Sequence, residues 1–292
     1  MTTAQTEAAA RQQIEVHPLC DALGAEVRGL DLSRDIDEAG FAAIEQAWHD
    51  HLILLFRDQQ LSEDDQVRFA RRFGPLQGRP RPAALRAEGG EVRHPEIMLV
   101  SNIRKDGKLI GSLPDGEMQF HSDMCYIETP AKGTFLYAIE IPAAGGDTLF
   151  LNTYKAYEAL PPDIKARLDG ARALNVFRYG STSRDGNKPD FAVHPHYVHP
   201  VVRTHPDTRR KGLFINRLMT WSIEGMEQAA SAALLDRLFD HMEKPAFIYG
   251  HKWRVGDLLL WDNRCTLHAR TDFSDQERRL LRRVVIQGDK PV

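Results

Sequence analysis

The chain has 292 residues, 42% hydrophobic and 27% charged, with a formal net charge of -3. That balance fits a soluble globular protein with a sizeable core and provides no global basic field for nucleic acid or an anionic membrane. Three dispersed cysteines, Cys20, Cys125 and Cys265, form no CxxC, which argues against a disulfide framework or structural zinc and fits a reducing cytoplasm.

Residues 1–13 are polar and Ala-rich and lack the apolar core of a signal peptide, so a disordered arm is expected there and one domain over 14–292. No apolar run approaches the roughly 18 residues of a membrane helix. Asp35 and Glu38 have capping-box spacing, with Phe41, Ile44 and Trp48 following at helical intervals. Leu52 to Phe56 is a short apolar run expected to form a buried strand. Ser62 and Asp65 make a second cap, before a helix that Gly74 stops. Residues 77–117 are rich in Gly, Pro and Arg and are expected to be long loops around one strand near Ile97 to Val100.

From residue 118 the pattern becomes mostly β. Strands are expected at Met118 to Asp123, Gly133 to Ile141, Asp147 to Asn152, Ala173 to Tyr179, Val201 to Thr204, Gly212 to Asn216, Ala246 to Trp253, Asp257 to Trp261 and Leu281 to Gln287. Helices are expected over 153–169, broken near Pro161 and Pro162, and over 224–243. Residues 180–200 read as a second long loop. Many short strands with few helices point to a mainly β jelly roll or barrel.

Residues two apart on a strand share a face, so His-x-Asp can clamp a metal. A third ligand from elsewhere completes a facial triad and leaves octahedral positions open. The motif is common by chance, and the chain has four His-x-acid pairs: His94/Glu96, His121/Asp123, His205/Asp207 and His241/Glu243. His94 and His205 stand beside prolines in loops, and His241 and Glu243 end a helix, where residues two apart diverge. His121 and Asp123 alone lie in an extended run, QFHSDMCYI. The alternative is a His and an Asp hydrogen-bonded at a strand end. His268 follows an apolar strand and a polar turn. Arg279 and Arg283 could each fork onto a carboxylate, although charge pattern alone fits a solvated basic face at least as well.

FHSDMCYIETPAKG, IPAAGGDTLF, LLLWDNRCTLHAR and ERRLLRRV, in that order and spacing, resemble the taurine dioxygenase and 2,4-dichlorophenoxyacetate dioxygenase (TauD/TfdA) family. LGAEVRGLDLS, LILLFRDQQL and RTHPDTRRKGLFIN extend the resemblance over nearly all the chain after residue 14. It implies a double-stranded β-helix, or jelly-roll, core with flanking helices. It also implies an iron(II)- and 2-oxoglutarate-dependent dioxygenase that uses O2, hydroxylates a small organic acid (a carboxylate, sulfonate or sulfate ester) and releases succinate and CO2. His121, Asp123 and His268 match the iron ligands, Thr148 and Arg279 the contacts to the distal carboxylate of 2-oxoglutarate, and Arg283 the arginine that meets the acidic substrate. Without the resemblance Thr148 is a plain β-branched strand residue. Phe120 stands where some relatives carry Trp, and Glu117-Met118-Gln119 differs from the taurine enzyme's pattern, which argues against taurine itself. Asp123 argues against halogenation. Desaturation or epimerisation on the same cofactors, a non-catalytic jelly roll that binds metal or a small acid, and a homo-oligomer stay open.

Overall fold

Apolar alternation on the long strands decides the architecture. In Leu258–Asp262, Leu258 and Leu260 join one core cluster while Leu259 and Trp261 join another, and all four are at most 1% exposed. A strand of this kind must be covered on both faces. The computed structural model describes residues 14–78, 92–113, 116–184 and 186–292. The arm expected over 1–13 lies outside the described residues, as do 79–91 and 114–115 of the first long loop and residue 185 of the second.

The strand belongs to a seven-stranded sheet ordered Glu15–Pro18, Ala25–Arg28, Ile53–Phe56, Leu258–Asp262, Gly133–Glu140, Leu280–Ile286, Met98–Ser101. Its pairings are antiparallel except Ala25–Arg28 with Ile53–Phe56. A four-stranded sheet, ordered Ile248–His251, Thr148–Asn152, Thr266–Arg270, Met118–His121, faces it. Phe150 of the smaller sheet packs on Trp261 of the larger at 5.4 Å between ring centroids, within one cluster that also holds Leu136, Leu259 and Leu281. Two largely antiparallel sheets closed face to face with helices outside make the expected jelly roll.

Helices seal the outer faces. Glu38–His51 and Glu63–Arg71 bring Ile44, Trp48, Val67 and Phe69 against Phe56, Phe135 and Leu260. Each such buried side chain contributes about 1.5–3 kcal/mol of transfer free energy. The fit is tight at Gly133, where an added Cβ would lie 2.8 Å from Trp48 Cζ2, so Gly133→Ala would force the strand off the helix. Gln228–Met242 seals the smaller sheet by packing Leu234, Leu235, Leu238 and Phe239 on Leu151, Leu267 and Ala269.

Local expectations hold where short-range chemistry dominates. Ser62 and Asp65 form a reciprocal capping box, and Pro162 opens the second of two helices, Thr153–Glu158 and Pro162–Leu168. Four expectations need correction. The first helix is capped by Asp37, whose Oδ1 accepts from Gly40 N at 2.7 Å, and not by Asp35 and Glu38. Part of the second long loop is a strand, His196–Pro200, because Arg172–Val176 offers it a free edge. The strand expected through Asp123 ends at His121. His268 does follow a polar turn at 263–265, but it lies within a further strand, Thr266–Arg270, that was not expected there.

Candidate active site

Strand pairing builds the first contact. Met118–His121 and Thr266–Arg270 are antiparallel neighbours, with His121 directly opposite His268 and their ring centroids 4.1 Å apart. After His121 the chain turns, and Met124 takes a left-handed φ of 61°. Asn263 holds the turn: Ser122 Oγ donates to its carbonyl at 3.0 Å, and Asp123 N donates to its Oδ1 at 3.3 Å. Asp123 is thereby returned to the two histidines although it has left their sheet. Its Oδ2 accepts from Thr134 Oγ1 at 2.6 Å, and Thr134 in turn accepts from Asn263 Nδ2 at 2.9 Å. Neither Thr134 nor Asn263 was singled out from the sequence; the polar Asp262-Asn263-Arg264 run after an apolar strand was the available signal.

One ligand atom from each of His121, Asp123 and His268 lies within 4.8 Å of the others, and His268 Nε2 is 3.8 Å from Asp123 Oδ1. His121 Nδ1 donates to the Gln119 carbonyl at 3.0 Å, which leaves the Nε2 lone pair for a metal. Burial pushes both imidazoles below the ordinary histidine range, so both are neutral donors. Burial opposes ionisation of Asp123, but the Arg283 guanidinium, with the Thr134 hydrogen bond, outweighs it and holds the carboxyl well below its usual range. Two neutral imidazoles and one carboxylate on one side of a cavity suit iron(II) with open coordination positions.

A second group, His205, Asp262 and Cys265, also falls within 4.8 Å, but it does not fit a metal. Asp262 is already filled by Arg264 Nη2 at 2.6 Å, Arg264 Nε at 2.9 Å and His205 Nε2 at 3.0 Å. Burial also pushes the Cys265 thiol up, against thiolate formation.

The triad forms part of the wall of a cavity of about 330 Å³ that Thr148, Arg270, Arg279 and Arg283 also line. Apolar groups, among them Met98, Val100, Tyr126, Leu136 and Phe177, make most of the remainder. The four clustered arginines separate. Arg278 pairs at the surface with Glu140 at 2.7 Å. Arg282 turns away, over the Tyr137 ring at 4.8 Å. Arg283 Nη2 lies 2.5 Å from Asp123 Oδ1. Arg279 is 1% exposed; its Nη2 reaches only the Gly146 carbonyl at 3.5 Å, and its Nε and Nη1 have no partner among the described residues. Burial, then the nearby charge of Arg270, pull its pKa down to about 9. A buried guanidinium in this state calls for an anion. Arg270 was not foreseen, although a position two after His268 on one strand shares its face. It donates to the Gly116 carbonyl.

The Taurine catabolism dioxygenase TauD, TfdA family matches residues 15–285. The chain is 35% identical to the (S)-phenoxypropionate/alpha-ketoglutarate-dioxygenase of Sphingobium herbicidovorans, over 94% of this chain and 95% of that protein. It is 36% identical to the pentalenolactone F synthase of Streptomyces avermitilis, over 92% of each. A taurine dioxygenase structure from Burkholderia xenovorans superposes with a TM-score of 0.80 at 31% identity, over 96% of this chain and 92% of that one.

Proposed function

The chain belongs to the TauD/TfdA family and is a 2-oxoglutarate-dependent dioxygenase, and we propose that it hydroxylates a small acidic substrate at an iron(II) ion held by His121, Asp123 and His268. The observation that carries this reading is the buried, partly unpartnered guanidinium of Arg279 in the same cavity as the triad. A metal cluster alone fits many roles. A metal cluster facing a built anion site fits a 2-oxo acid with a second carboxylate.

When bound, iron(II) with 2-oxoglutarate and O2 supplies the oxidising power that inserts oxygen into a C–H bond and releases succinate and CO2. The protein's part is positioning, charge and exclusion of water. His121, Asp123 and His268 would hold the metal and leave coordination positions for other ligands. Arg279 and Thr148 would hold the distal carboxylate of 2-oxoglutarate. Arg283 meets the acidic group of the substrate, exchanging its Asp123 partner for the incoming anion. The apolar wall from Met98 to Phe177 keeps bulk water out and takes the substrate's carbon skeleton.

The Burkholderia xenovorans structure is named for a sulfonate-oxidising activity and the Sphingobium enzyme for a carboxylate; carboxylates, sulfonates and sulfate esters are therefore the substrate classes to test. Purified protein given iron(II) and 2-oxoglutarate without oxygen should develop a weak visible charge-transfer band. Oxygen and the right acid should then release succinate together with a hydroxylated product. No band, or a product that is desaturated or epimerised, would count against hydroxylation at this site.

A further inference from the structure

Thr148 opens the strand Thr148–Asn152 with its side chain at the cavity wall. Behind it, and outside the cavity lining, Trp253 Nε1 donates to Thr148 Oγ1 at 3.0 Å. An indole N–H can only donate, so Thr148 is the acceptor in this bond and its own proton is left to be placed. Among the described residues no acceptor takes that proton. The hydroxyl is buried, at 4% exposure for the residue. A buried donor left unmade is costly.

The indole is itself held in place. His251 sits opposite Thr148 in the ladder and meets the Trp253 ring edge-on, with centroids 4.6 Å apart at 87°. His251 Nε2 is 3.1 Å from Asp257 Oδ2, and Arg57 Nη1 donates to both Asp257 oxygens at 3.0 and 2.8 Å. Hydrogen bonds thus fix His251 through Asp257 and Arg57, and the His251 ring in turn packs on Trp253 behind the cavity wall. None of these residues lies in the four motifs around the triad, Thr148 and Arg279.

We infer that Trp253 is a positioning residue: by occupying the acceptor side of the Thr148 hydroxyl it turns that group into a dedicated donor for the distal carboxylate of the 2-oxo acid. This rests on Thr148 as a co-substrate contact, as proposed above. Trp253 touches neither substrate nor metal. Its effect is to choose which way a rotatable hydroxyl points, with the His251 ring packed edge-on to hold the indole in place.

The test is calorimetric binding of 2-oxoglutarate to Mn(II)-loaded protein without oxygen, so that no turnover is needed. Trp253→Phe keeps the ring and removes the N–H, and should weaken 2-oxoglutarate about 3–10-fold, the range for one net hydrogen bond. Thr148→Val should weaken it by about tenfold or more, because the bond lost goes to a charged group. Thr148→Ser, which keeps the hydroxyl, should recover most of the affinity lost in Thr148→Val. The double variant should be no weaker than Thr148→Val alone. Binding of 2-oxobutyrate, which lacks the distal carboxylate, should be equal in Trp253→Phe and wild type. If Thr148→Val leaves 2-oxoglutarate binding intact, the contact at Thr148 is wrong and the inference falls with it. If Thr148→Val weakens binding but Trp253→Phe does not, or weakens 2-oxobutyrate equally, the contact stands and the inference alone is overturned. Should Trp253→Phe fail to fold, the indole N–H resonance of Zn(II)-loaded wild type replaces it. That resonance should shift with 2-oxoglutarate and not with 2-oxobutyrate; an equal shift with both overturns the inference.

Discussion

Arg283 Nη2 lies 2.5 Å from Asp123 Oδ1, the same oxygen that stands 3.8 Å from His268 Nε2. The arginine that would greet an acidic substrate therefore holds the carboxylate that would hold the metal. Arg283→Ala should leave metal affinity equal to or tighter than wild type, because a competitor for Asp123 is removed. It should leave 2-oxoglutarate binding nearly unchanged. The acidic substrate should bind about two to three orders of magnitude more weakly, as expected when one partner of a buried ion pair is removed. Succinate should still form slowly without coupled product. The checks are Mn(II) calorimetry and parallel assays of succinate and product; loss of 2-oxoglutarate binding would show that the two arginines have been assigned in the wrong order.

His121→Ala, Asp123→Ala and His268→Ala should each lose most of the roughly one iron(II) per chain expected here. His205→Ala and Asp207→Ala should keep it. Those two belong to the filled network around Arg264 and Asp262, so His205→Ala should lower Tm without releasing metal. Metal analysis after gel filtration, beside thermal unfolding with and without added metal, separates the two clusters.

Thr134 should matter nearly as much as a ligand. Its hydroxyl donates to Asp123 Oδ2 at 2.6 Å and orients Oδ1 toward the histidines. Thr134→Val should weaken metal binding about 10–100-fold, the usual cost of removing a group that orients a ligand. Thr134→Ser should restore it. Equal affinity in Thr134→Val and wild type would show that the Asn263 clamp alone holds Asp123.

Arg279→Ala should raise the 2-oxoglutarate needed for half-maximal visible absorbance by about two to three orders of magnitude, whatever the acid substrate. Arg279→Lys should recover only part of the loss, since an ammonium lacks the planar fork. A small effect from Arg279→Ala would place the distal carboxylate elsewhere, with Arg270 the first alternative.

His199 gives a pH test away from the metal. Burial pushes its pKa down to about 4, while its ring bonds the Ile127 carbonyl at 2.8 Å. The unfolded chain takes up this proton near the ordinary histidine value, about 6.5. Between those two pH values the unfolded state binds more protons, so the stability from the neutral ring is complete above pH about 6.5 and is lost on going down to pH about 4. In metal-free protein, urea unfolding at pH 7 and pH 4.5 should show a smaller difference for His199→Gln than for wild type. An unchanged difference would assign the acid lability to other groups.

The sequence by itself determined whatever depends on near neighbours. The Ser62–Asp65 box, the helix break at Pro162 and the buried strand before Arg57 follow from capping, a missing N–H and apolar runs, all set within a few residues. Ordered motifs around His121, Thr148, His268 and Arg279 also fixed the family, because spacing along the chain is a sequence property. Tertiary structure decided which side chains converge. His121 and Asp123 are two apart, yet they meet because Asn263, 140 residues away, bends the chain back, and not because a strand carries both. Arg279 and Arg282 are indistinguishable as charges in a basic run, and only the sheet's inner and outer faces send one into the cavity and the other over Tyr137. Trp253 carries no local mark at all, and Arg270 only its place two residues after His268. Their roles arise from pairing the strands that contain Thr148, His251 and Arg270, and such long-range contacts are chosen by burial and hydrogen bonding over the whole sheet.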